Sequence, residues 1–140
     1  MALGPNELFR SVSRGAAKRF TADHIAPKKF AAAAGAPTLA QLTPVAYDTV
    51  TNNWKVWANA GSNGVNDIKG FIADAAGATL DATNESLHNV ITAGLIYAND
   101  VVVPGGETQA NLDAELASDM RAKGFTIQGP ITTGAAGGIR

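Results

Sequence analysis

Histidine, serine, lysine and acidic side chains are where chemistry would begin in this chain, and their spacing argues against it. Only two histidines are present, His24 and His88, and neither has a second histidine three or four residues away. Each reads as a surface or hydrogen-bonded residue rather than a metal ligand or a base. With no cysteine in the 140 residues, disulfides, thiolate metal sites and cysteine nucleophiles are excluded. Ser62 and Ser86 stand in no nucleophile motif, and Asp67, Asp74 and Asp81 lack calcium-loop spacing. Asp113, Glu115 and Asp119 read as a solvated helix face or a surface presented to a basic partner, and Asn84-Glu85-Ser86 matches a glycosylation acceptor only by a short pattern. The glycine-rich run from Ala60 to Gly70 contains Lys69, but Gly70 and an extended segment follow it instead of serine or threonine and a helix. It reads as a hairpin or loop, not a phosphate cradle. The expectation is a protein with no catalytic, cofactor or metal site, and not an enzyme.

The elements around these residues form a pattern of short strands. Pro44–Val50 and Trp54–Ala58 alternate about a Thr-Asn-Asn turn, which puts Trp54 and Trp57 on opposite faces, one for the core and one for a neighbour. Asn63-Gly64 favours a tight turn with positive φ. The segment around Gly70 is extended, with a bulge or close backbone approach at the glycine, and His88–Val103 supplies two short strands. One helix is expected between Gly106 and Gly124, with Leu112, Leu116 and Met120 as its apolar stripe and Gly124 just past its end. Gly124–Gly129 follows as a short closing strand.

Charge divides the chain. Residues 1–30 carry six basic side chains against two acidic ones, while the other 110 carry five against ten. A basic arm is thus joined to an acidic body. The first part of the arm spaces Leu8, Val12, Ala16 and Phe20 as a narrow helical stripe, and residues 26–40 read as a linker or tether. No apolar run approaches the roughly 20 residues of a membrane span, so a soluble protein is expected. The arm's composition also fits an organellar transit peptide, a disordered tail, or an anionic-surface binder.

In this order the segments 42–58, 67–76, 90–102 and 108–129 resemble the phage lambda-type head decoration proteins. The matching positions are Trp54, Gly70, Ile72, Ala73, Gly94, Leu116, Gly124 and Phe125. The resemblance covers residues 38–129, and the longer basic arm and the C-terminal tail depart from the pattern. It implies a mainly β, α+β fold with one packed helix: a small barrel- or sandwich-like body at 38–130, an arm and linker at 1–37 and a tail at 131–140. It also implies a structural protein on the outer surface of an expanded virion capsid. Such a protein bridges major capsid protein subunits as a homotrimer, with a dimer as the alternative, and contacts neither nucleic acid nor membrane. The residues expected to dock are Phe9, Arg10, Arg14, Arg19, Phe20, Lys28, Lys29 and Phe30. A head fibre base or a tail-associated β-domain is the nearest rival.

Overall fold

The computed structural model describes residues 18–129, which are mainly β with a single α-helix. The strands are β1 (Phe20–Phe30), β2 (Thr38–Leu39), β3 (Pro44–Asp48), β4 (Asn53–Val56), β5 (Gly70–Ile72), β6 (Ala78–Thr79), β7 (Ser86–Tyr97) and β8 (Phe125–Gln128). The helix α1 spans Gln109–Leu116. The main sheet has the order β1-β4-β3-β5-β7-β8, and β1 also pairs with β7, so the pairings run in a closed circuit. β2 and β6 form a separate two-stranded sheet.

Neighbouring residues explain the layering. Successive side chains of a strand point to opposite faces, so two consecutive buried residues require cover on both sides. Val45 and Ala46, Phe71 and Ile72, and Val90 and Ile91 are all fully buried. Ala46, Phe71 and Ile91 join one apolar cluster with Trp57, Leu112, Leu116, Met120 and Phe125. Val45, Ile72 and Val90 join the other, with Phe30, Ala78 and Leu80.

β1 corrects the expected tether. Residues 20–30 form an eleven-residue strand paired antiparallel with β7 from Phe20↔Ile96 to Phe30↔Ser86, with irregular register around His24. Phe30 then reaches β4 in a parallel bridge to Trp54. The low-complexity alanine run, which suggested a linker, begins only after this strand. Thr38 and Leu39 also belong to the body, paired with Thr79 and Ala78.

β7 is one twelve-residue strand where two short ones were expected. Gly94 does not interrupt it; φ there is 148°, and a Cβ would lie 3.0 Å from Ala22 Cα across the β1 irregularity. The glycine lets two backbones cross closely, which favours continuity over a break. Gly70 meets the same need in β5, because a Cβ would come within 2.5 Å of Val90 Cγ1 and 2.7 Å of the Ile91 carbonyl.

The helix is shorter than its apolar stripe. Thr108 caps it by accepting the Asn111 N–H at 3.1 Å, and Ser118 ends it by donating to the Glu115 carbonyl at 2.6 Å. A 3-10 turn, Arg121–Lys123, continues the chain to Gly124, which has φ 95°. Leu112, Leu116 and Met120 are nonetheless all buried, because the turn carries the stripe past the helix end.

Candidate docking surface

The two ends of the described chain lie side by side. Phe20 pairs with Ile96 on one edge of β7, and Ile127 pairs with Ile96 on the other. One residue further, the Tyr97 N–H donates to the Arg19 carbonyl at 3.4 Å while Tyr97 registers with Gln128. Residues 1–17 and 130–140 therefore join the body at the same end of the sheet. Phe9, Arg10 and Arg14, and the rest of the expected arm helix, lie outside the described residues.

Arg19 is held at this end by three contacts. Its backbone N–H and its Nε both donate to Asp100 Oδ2 at 2.8 Å, and its guanidinium lies 4.7 Å from the centre of the Tyr97 ring. Partial burial raises the Asp100 carboxyl, but the Arg19 hydrogen bonds and charge outweigh it and hold the group below its ordinary value. Sequence reasoning missed Tyr97 and Asp100 because 81 positions separate Asp100 from Arg19, and only strand pairing brings them together.

The remaining docking candidates divide. Phe20 is half-buried and packs on the larger cluster. Lys28 lies over the Trp54 ring with Nζ 5.5 Å from its centre, and Lys29 pairs with Glu85 at 3.6 Å. Phe30 is fully buried, 6.5 Å from the Trp54 ring and edge-on to His88 at 5.6 Å. Its assignment as a docking residue is corrected: it closes a core, and reaching a partner would require opening the β1–β4 junction. Of the two tryptophans, Trp57 is the core residue, donating from Nε1 to the Asn66 carbonyl at 3.1 Å. Trp54 is half-buried, against Tyr47 as well as Phe30.

The groups first weighed for chemistry have structural partners. His24 Nδ1 lies 2.6 Å from Thr92 Oγ1, and His88 Nε2 lies 2.9 Å from Ser86 Oγ. No carboxylate among the described residues contacts His88, so this serine and histidine lack the third group that would orient a base. Lys69 in the glycine-rich run pairs with Asp67 at 3.2 Å. Lys123 donates to Asp67 and to the Ile68 carbonyl and approaches Glu115 at 3.7 Å, binding that loop to the segment after α1. Burial raises the Asp67 carboxyl, and the two lysines more than reverse this.

The expected solvated helix face is corrected for two of its three carboxylates. Asp113 is buried and accepts from Gln109 Nε2 at 2.8 Å, and Glu115 accepts the Ile68 N–H at 3.1 Å. Asp119 is exposed. Asp48, buried in the β3–β4 turn, is held down to about 2 by the Lys55 hydrogen bond and the Thr51 and Val50 amides.

No protein-family model matches the chain, and no curated protein matches it.

Proposed function

We propose that this chain is a structural virion protein of the lambda-type decoration kind, which binds the outer surface of an expanded capsid and bridges neighbouring major capsid protein subunits. The observation that carries the reading is the shared exit of the two terminal segments beside Arg19, Tyr97 and Gln128. Residues 1–17 hold Arg10 and Arg14, residues 130–140 hold Arg140, and Lys18 and Arg19 stand at the junction. Basic segments leaving one end of an acidic body suit attachment to an acidic surface by that end. The closed strand circuit is read as a small barrel, a compact body with few open edges to pair at random.

Attachment of this kind gains from repetition. Each segment contributes little alone, but three copies of it on a homotrimer raise the effective concentration of the second and third contacts. The docking role falls on residues 1–19, including Phe9, Arg10, Arg14 and Arg19, and not on Phe30. The test is co-sedimentation with undecorated, expanded capsids, counting bound copies per major capsid protein. Saturation near one copy per subunit is expected. A handful of copies per particle would instead favour a fibre base or tail-associated part, and no binding would overturn the reading.

A further inference from the structure

We propose that Asn63-Gly64 is a site of spontaneous covalent modification, at which Asn63 is converted through a cyclic succinimide to aspartate and isoaspartate. The inference does not depend on what the chain binds.

The chemistry needs an asparagine whose side chain is free, followed by a backbone nitrogen that can reach it. Asn63-Gly64 is the one place in the 140 residues where glycine follows asparagine. Everywhere else the next residue carries a Cβ that crowds the approach. Asn63 is exposed, with φ 58°, and Gly64 has φ 94°, so the pair forms a tight turn at the surface. Among the described residues neither the Asn63 carboxamide nor the Gly64 N–H has a hydrogen-bond partner. Three other asparagines are restrained as well as lacking a following glycine: Asn52 accepts from Tyr47, Asn89 donates to Asp74, and Asn53 is buried.

In the first step the Gly64 nitrogen attacks Asn63 Cγ. The N–Cγ bond forms, the Cγ–Nδ2 bond breaks, and the Gly64 amide proton leaves with that nitrogen as ammonia. Water then opens the ring at either carbonyl. Opening at Cγ gives aspartate on the ordinary main chain, and opening at the backbone carbonyl gives isoaspartate, whose main chain runs through Cβ and Cγ. The balance is asparagine and water to acid and ammonia, with nothing oxidised or reduced.

The turn is also a fastening. The Asn63 carbonyl accepts from the Thr49 N–H at 2.9 Å and from Thr49 Oγ1 at 3.0 Å, tying this loop to the β3–β4 turn. Isoaspartate lengthens the main chain by one carbon and displaces that carbonyl, and either product adds a negative charge.

The test holds the full chain in warm, mildly alkaline buffer and maps peptides by mass spectrometry, with isoaspartate-specific enzymatic methylation as a second readout. Amide-to-acid conversion at Asn63 is expected ahead of every other asparagine, with isoaspartate present and an acidic electrophoretic form accumulating to the majority. An Asn63→Gln variant, checked by circular dichroism for its fold, should lose that form. Intact Asn63 after other asparagines have converted, or acid at Asn63 without isoaspartate, would overturn the proposal. Since the first readout uses the unmodified sequence, it stands even if the variant misfolds.

Discussion

On one face of the central sheet, β3, β5 and β7 are covered by α1 and the turn after it, and together with β8, which follows them in the chain, they bring apolar residues into a cluster that includes Phe71 and Phe125, ring centres 5.2 Å apart. On the other face the cover is assembled from distant pieces: Phe30 at the end of β1, and Ala78 and Leu80 in or beside the two-residue strand β6. The first is built by local periodicity and the second by long-range pairing. The difference places the smaller core at the mercy of β1, whose composition resembles that of a flexible arm.

The largest effects should come from removing one aromatic from each face. Trp57→Ala and Phe30→Ala should each cost about 3–5 kcal/mol in urea unfolding, since both side chains are fully buried or nearly so. If Phe30→Ala left stability unchanged, the second face would not be a core at all, and the docking role would return to Phe30. Next comes Gly70→Ala, where a Cβ within 2.5 Å of Val90 Cγ1 wedges β5 away from β7; about 1–3 kcal/mol of destabilisation is expected from the same assay.

A smaller, pH-dependent effect separates the turn from both cores. Asp48 has its carboxyl lowered from 3.8 to about 2, so its stabilising contribution is present above pH 3.8 and fades as pH falls through 2. Asp48→Asn should therefore lower thermal stability at neutral pH, and the gap to the parent should narrow in acid. A gap independent of pH would assign the loss to something other than ionisation. The smallest effect belongs to Arg19→Ala, which loses an exposed ion pair and a ring contact; less than about 1 kcal/mol is expected in the unfolding assay.

The helix-covered face was legible because Leu112, Leu116 and Met120 recur at intervals of four, and the glycines at 70 and 124 mark a close approach and a stop. The helix's true end was not, since Ser118 halts it without breaking the stripe. β1 was illegible for a plainer reason. Its side chains alternate weakly, Pro27 and two lysines interrupt the apolar pattern, and its strand character comes from backbone bonds to β7, some 60 residues later in the chain. Of the expected docking set, the sequence marked the charge of the arm but could not mark where the arm stops. The pairing of Arg19 with Tyr97 and Asp100 sets that limit.

The most direct test of the central claim, that docking lies before β1 while β1 belongs to the body, is to delete residues 1–17 and measure thermal unfolding and co-sedimentation with expanded capsids on the same preparation. The account predicts an unfolding midpoint close to that of the full chain together with loss of capsid binding. Retained binding at full stoichiometry would contradict it, as would a body that no longer folds without those residues.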